Sequence, residues 1–511
     1  METDQVSEAA NDSDRVTPEL WWLSAIMAFG GFASLLDATV INVAIGPLAK
    51  VFDAELSTVQ WAVTGYLLAI TATLPISGWA MARFGAKQTM IFSQAAFLVG
   101  SLLAGLAWSA SSLIAFRVIQ GIGGGLAVPV GQALLAQAAG PRRLGRLMSI
   151  VTVPALVAPL IGPSLGGILV DHLSWRWIFF INVPLCVVSI ALMAARVRNI
   201  VAPSADIEFD VVGMALLMPG LTALVYGLSE AGSAGGFGDG RVIGGLVAGA
   251  VLLAAFALRA TRSRREPLLD LRLFGIRYFR SGTLANVLLS VAMYGVMIPL
   301  PMYFQVVRGT SVLTSALLLL PQSAGFLVVV MLLNRLTTVL GSRSVTLLGL
   351  LLVMVGTIPF TLITADPNQL VIGAALWIRG IGLGAAMVPT MTVAFSSVPK
   401  AAAPSATSAF NVLQRVGASL GTAVLAVVLQ KEAAGQLPAG TSTLAQVTPG
   451  GEAARNLATS FHLPFVWALA FTAFAVIPAF FLPNGSQQQH NPPHPYRPMP
   501  DTVSNTQKTG E

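Results

Sequence analysis

Apolar runs of about twenty residues, each closed by a polar, glycine-bearing or proline-bearing break, repeat along almost the whole chain. A hydrocarbon core of about 30 Å is crossed by about twenty residues of helix, so each run reads as one membrane crossing. The breaks place fourteen spans near residues 19–43, 57–80, 87–107, 110–138, 146–170, 175–196, 210–229, 241–260, 280–305, 311–334, 344–364, 368–395, 404–430 and 461–482. The expected fold is therefore all-α and integral to the membrane. The polar tails, 1–18 and 484–511, have the composition of disordered chain.

Two echoes divide this array. Gly85 and Lys87 after span 2 match Gly341 and Arg343 after span 10, and Gly121, Gly123 and Gly125 of span 4 match Gly380, Gly382 and Gly384 of span 12. Parallel six-span repeats follow, a symmetry that transporters use. The expected domains are an N-terminal bundle 19–200, an inserted helix pair 201–265 and a C-terminal bundle 266–483.

Composition agrees: of 511 residues 55% are hydrophobic and 10% charged, against about 25% charged in soluble domains. The net charge of +7 would suit nucleic acid if it were clustered, but it is distributed by loop. Seventeen loop Lys and Arg fall on the side of Arg83, Arg143, Arg196 and Arg335, and six on the side of Lys50, Arg176, Arg308 and Arg455. The richer side is expected to be cytoplasmic, with both termini on it. The first twenty residues lack the pattern of a cleaved signal. A single cysteine, Cys186, excludes a disulfide framework, and no His/Cys cluster, nucleophile elbow or nucleotide fold is present. Neither an enzyme nor an ATP-driven pump is indicated, and no metal, cofactor or nucleic acid is expected.

Charge inside the spans is scarce. Asp37 is the one acid well within a span, and Arg117, Arg379 and Arg415 are the cations. Each is disfavoured by about 2.5–3.5 kcal/mol at mid-bilayer and needs a partner or a task. Counted from the outer ends, Asp37 on span 1 and Arg117 on span 4 both lie roughly 9 Å deep. Burial opposes the charged carboxylate and a nearby guanidinium favours it, so moving the arginine or binding cargo can switch protonation. The pair is thus expected to couple protons, the other reading being a permanent structural ion pair. Gln120 shares the Arg117 face. Asn411, Gln414 and Arg415 form a polar stripe expected to line the substrate path, with Asn286, Met293 and Tyr294 of span 9 and Arg379 of span 12 as further contacts. The glycine run 121–125 lacks the Lys-Ser/Thr ending of a phosphate loop and reads as close helix packing. Gly162 and Gly166 are a small-xxx-small pair, and Pro159 and Pro163 withdraw hydrogen bonds, so span 5 is expected to bend against a neighbour.

Leu36-Asp37-Ala38-Thr39-Val40-Ile41-Asn42 in span 1, Arg117 with Gln120 and Gly121 in span 4, and Gly162-Pro163-Ser164-Leu165-Gly166-Gly167 in span 5 together resemble the major facilitator superfamily. Within it they resemble the fourteen-span drug:proton antiporters of the EmrB/QacA type. The Trp175-Arg176-Trp177 to Pro184, Phe209-Asp210-Val211-Val212-Gly213, Pro267 to Phe274 and Tyr303 to Gly309 stretches fit the same family, in order. The resemblance implies a major facilitator fold of two six-helix bundles plus an inserted pair, an acid and an arginine for proton transfer, and an antiporter motif at Gly162, Pro163, Gly166 and Gly167. It also implies a gating loop at Gly78, Arg83, Gly85 and Lys87, where Ala82 departs from the usual aspartate.

The expected function is proton-coupled export of lipophilic drugs or antibiotics across the bacterial inner membrane by a monomer whose partners are its small lipophilic substrate, protons and membrane lipids. With one buried acid against three arginines, monovalent, neutral or weakly acidic cargo is expected. Proton-coupled uptake of a nutrient or siderophore, and a non-transporting receptor or scaffold, are the alternatives.

Overall fold

The computed structural model describes residues 17–197, 209–234, 236–262, 269–436, 447 and 449–484. The tails, the Arg264–Arg265 and Pro267–Leu268 parts of the loop after span 8, and the side chains of Asn42, Arg142, Arg146, Pro159, Pro163, Ser164 and Lys400 lie outside the described residues.

The longer helices are α1 (Pro18–Val40), α2 (Leu56–Thr73), α3 (Ile76–Phe84), α4 (Ala86–Gly105), α5 (Ala110–His172), α6 (Asn182–Arg196), α7 (Val211–Ala234), α8 (Gly240–Arg262), α9 (Arg277–Gly295), α10 (Leu320–Thr357), α11 (Gln369–Ser396), α12 (Ala403–Ala434) and α13 (His462–Ala479). Their starts follow ordinary capping chemistry. Thr17 accepts from Leu20 N with Pro18 in the first turn, Ser109 and Ser112 form a reciprocal box, and Asn368 accepts from Leu370 N. No strand occurs among the described residues.

Among the described residues eleven helices are long and apolar enough to cross a membrane, and α2 with α3, bent by 55° at Leu74–Pro75, make up to a twelfth if the pair is one span. Two elements carry two crossings each. Helix α10 turns at Gly341, whose φ of 79° and ψ of 154° nearly repeat the 85° and 152° of Gly85. The two glycines matched by sequence thus make the same left-handed corner, which a Cβ would disfavour. Helix α5 continues through the expected loop at 139–145, because that segment keeps helical hydrogen bonding. Its 63 residues would stretch for about 95 Å if straight. It cannot be straight, since Arg117 near its start bonds Asp37 while Gly162 and Gly166 near its end press on Thr39 and Val40. The two arms of α5 flank the same end of α1, an arrangement compatible with the fourteen expected spans.

Apolar contacts differ between the two ends of the array. At the Arg-rich end a single cluster joins Met27, Met81, Leu134 and Met148 to Phe279, Met391, Phe395 and Phe410. At the opposite end the clusters are separate, one built on Val40, Val59, Leu113 and Phe179, the other on Tyr303, Phe360, Leu376 and Phe465. Polar contacts close the same Arg-rich end: Ser408 Oγ donates to the Leu74 carbonyl at 3.0 Å, and Asn411 Nδ2 to Gln132 Oε1 at 2.6 Å.

Helices α7 and α8 pack through Gly227, Gly245 and Gly249, where a Cβ would fall within 3 Å of the neighbouring backbone. Helix α7 also reaches both sides of the molecule: Trp61 stacks on Tyr226, and Gln430 Nε2 donates to the Gly232 carbonyl at 2.7 Å. Asp210 begins α7 by accepting from Gly213 N at 2.8 Å and pairs with Arg259 of α8. A Cβ at Gly213 would enter the Asp210 carboxylate and displace it from this position.

Candidate functional site

Five helices converge on Asp37. Its carboxylate pairs with Arg117 Nη1, and its Oδ1 accepts from Gln120 Nε2 at 3.0 Å and from Asn182 Nδ2 at 2.8 Å. Arg117 and Gln120 are one helical turn apart on α5, which lets Nη1 reach Gln120 Oε1 at 2.7 Å as well. Gln120 also donates to Ser101 Oγ of α4 at 2.7 Å, and Arg117 Nε donates to the Ala62 carbonyl of α2 at 3.1 Å. The Tyr66 ring lies 3.9 Å from the guanidinium carbon, and its hydroxyl donates to the Ser34 carbonyl of α1 at 3.0 Å. Arg117 and Asp37 are 0% and 1% exposed, so this carboxylate is sealed from bulk water.

Glycine makes the approach possible. A Cβ on Gly100 would fall 2.5 Å from the Gln120 Cα, and one on Gly121 would fall 2.6 Å from the Tyr66 carbonyl oxygen. Gly123 and Gly125 bring α5 equally close to Phe97 and Ile70. On the other arm, Gly166 faces the Val40 carbonyl and Gly162 faces Thr39 Oγ1, one turn beyond Asp37, while Gly167 faces open space. The three small residues of the span 5 motif are therefore not equivalent.

Ser101, Asn182, Tyr66 and the Ala62 carbonyl were not among the residues read from sequence. Asn182 carried a signal, being an amide inside the apolar Trp175 to Pro184 stretch. Ser101 carried none, because most buried serines and threonines here, such as Thr73 and Thr346, satisfy their own helix.

A second polar group lies where α9, α11 and α12 meet. Gln414 Nε2 donates to Asn286 Oδ1 at 3.0 Å, and Asn286 Nδ2 reaches Thr390 Oγ1 and the Met387 carbonyl at 3.3 Å. Asn411, one turn away, is the residue bonded to Gln132 of α5, whose Nε2 contacts Met391 Sδ at 3.8 Å. Arg415 is partly exposed and within electrostatic reach of Tyr294 and Tyr66.

The other expected contacts separate from this group. Arg379 donates to Gln322 Oε1 of α10 at 2.5 Å, and Met293 packs on the Phe326–Val329 cluster. Gln120 has both polar ends engaged in the Asp37 group. At the corner between α3 and α4, Gly78 lies against Pro404 and Ser405, Lys87 Nζ donates to the Ala194 carbonyl at 2.8 Å, and Arg83 Nη1 is buried without a partner. No cluster of His, Cys, Asp or Glu able to hold a metal occurs among the described residues.

This arrangement can be set beside known proteins. The Major Facilitator Superfamily pattern matches residues 27–422. The chain is 31% identical over 503 residues to a Multidrug resistance protein B homolog of Mycobacterium tuberculosis, covering 94% of this chain and 93% of the relative. It is 32% identical over 409 residues to the Tetracenomycin C resistance and export protein of Streptomyces glaucescens, covering 80% and 76%. Among solved structures, the proton:xylose symporter XylE superposes with a TM-score of 0.60 at 14% identity, over 89% of this chain and 96% of the symporter, which speaks to the fold alone. With an all-helical array, two glycine corners of one geometry and a family pattern running from the first span into α12, the chain belongs to the major facilitator superfamily.

Proposed function

We propose that the chain exports lipophilic small molecules, drugs or antibiotics, across the bacterial inner membrane in exchange for protons, by alternating access. The observation that carries this is the Asp37–Arg117 group, a carboxylate held by three side chains and sealed at the meeting of five helices. Relatives named for multidrug resistance and for tetracenomycin C export support the efflux direction. The Gly162-Pro163-Ser164-Leu165-Gly166-Gly167 stretch, by its resemblance to the antiporter motif, leans the same way.

In this reading residues 19–200 and 266–483 are the two moving bundles, 201–265 is an inserted pair, and both termini are cytoplasmic. The protein works as a monomer. Joined clusters at the Arg-rich end and separate ones opposite correspond to a state closed toward the cytoplasm. A proton taken by Asp37 neutralises the partner of Arg117. The guanidinium is then held by Gln120, the Ala62 carbonyl and the Tyr66 face without a counter-charge, which favours a rearrangement of α1 against α5. The gating corner at Gly78, Arg83, Gly85 and Lys87 has no acid at Ala82 and closes instead through Gly78 against the start of α12 and Ser408 against Leu74.

The test is Asp37→Asn in proteoliposomes. Export driven by a pH gradient is expected to be lost, while exchange of labelled for unlabelled substrate, which needs no net proton movement, persists. Full pH-driven export by the variant would overturn the proposal. Proton-driven uptake would show itself by cells emptying, not filling, when an uncoupler is added.

A further inference from the structure

The three arginines within the spans are not equally satisfied. Arg117 has the Asp37 carboxylate, and Arg379 has the Gln322 amide oxygen together with close backbone packing from Gly356. Arg415 makes no hydrogen bond or ion pair among the described residues, and its Nε is buried without a partner. No ion pair joins it to a carboxylate among the described residues, and the phenols of Tyr294 and Tyr66 are within electrostatic reach. An uncompensated guanidinium inside a membrane is disfavoured unless something meets it.

Its position says what could do so. The Gln414–Asn286 bond ties α12 to α9, and the next residue, Arg415, lies within electrostatic reach of Tyr294 of the second half and Tyr66 of the first. Tyr66 already carries the Arg117 guanidinium on its ring and is also within electrostatic reach of Arg415. Asp37, the acid well inside a span, is taken up by Arg117, Gln120 and Asn182. This region therefore holds one unbalanced positive charge beside aromatic surface, and the planar guanidinium fork suits a carboxylate or sulfonate.

We propose that Arg415 is the anchor for the anionic group of the cargo, and that the preferred substrates are lipophilic monoanions with an aromatic body. The inference rests on the transport reading above and narrows its substrate class.

The test uses the full-length protein purified in detergent and two fluorescent probes of one shape, dansyl-phenylalanine, a carboxylate at neutral pH, and its uncharged methyl ester. Wild type is expected to bind the acid about tenfold or more tighter than the ester, the usual scale for one charged hydrogen-bonded contact. Arg415→Gln should bring the acid to the affinity of the ester while leaving the ester within about twofold, and Arg415→Lys should keep part of the preference. A thermal unfolding midpoint for each variant identifies loss of fold. The proposal is overturned if wild type shows no preference, if Arg415→Gln keeps it, or if that variant loses ester and acid alike. Failure of the proton reading is separable: Asp37→Asn that retains pH-driven export removes proton coupling but leaves the acid-to-ester preference of wild type standing.

Discussion

Adding one methyl group at each of Gly162, Gly166 and Gly167 should have three different consequences. In a helix, alanine is favoured over glycine by roughly 0.5–1 kcal/mol, so the change is stabilising wherever space allows. At Gly167 nothing lies within 4 Å of the new Cβ, and Gly167→Ala should leave stability equal or higher. At Gly166 the Cβ would sit 2.7 Å from the Val40 carbonyl oxygen, a backbone atom with no rotamer to change. The arm must retreat by roughly 0.7 Å to reach the 3.4 Å of ordinary contact. Overpacking of this kind costs about 1–3 kcal/mol, which exceeds the helix gain. At Gly162 the obstacle is Thr39 Oγ1, a side-chain atom now donating to the Leu36 carbonyl at 2.9 Å. It can move only by giving up that bond, and Thr39→Ala should relieve most of the clash, leaving the position-39 Cβ at 3.0 Å. Thermal unfolding of the four single variants and of the Gly162→Ala/Thr39→Ala double variant measures the order, and transport in proteoliposomes shows whether displacing α1 one turn beyond Asp37 impairs function beyond the stability loss. Equal effects at Gly166 and Gly167, or no recovery in the double variant, would refute the assignment of α1 as the partner of the second α5 arm.

Two further outcomes can be checked by similar means. Gly85→Ala and Gly341→Ala should each destabilise by about 1–2 kcal/mol, because both corners require a positive φ, whereas Gly373→Ala on open surface should not; unfolding midpoints decide. Gln132→Ala and Asn411→Ala should be non-additive by about 0.5–3 kcal/mol in a double-mutant cycle on unfolding, since each removes the same bond between the two buried amides, Gln132→Ala leaving Asn411 Nδ2 only the Thr407 carbonyl; additivity would show that their 2.6 Å bond contributes nothing to holding the two halves together.

Much of this architecture was legible because a bilayer imposes one rule on every crossing, an apolar helix of sufficient length. The run of apolar crossings, the glycine-run packing of α5 and the correspondence of Gly85 with Gly341 came from pattern alone. The loop expected at 139–145 did not appear as a break, since helical hydrogen bonding does not depend on whether a segment is apolar. Depth counting brought Asp37 and Arg117 to one level, but depth is only one coordinate of three. That Ser101, Asn182 and Tyr66 share their site depends on how α2, α4 and α6 rotate about their axes, which no local spacing encodes.

The chain by itself determined that there is one acid to three arginines within the spans, because composition is independent of folding. Only the tertiary structure decided which arginine the acid serves. Electrostatic partners are chosen by contact across helices 80 residues apart, as with Asp37 and Arg117, and the same choice leaves Arg415 without a counter-charge.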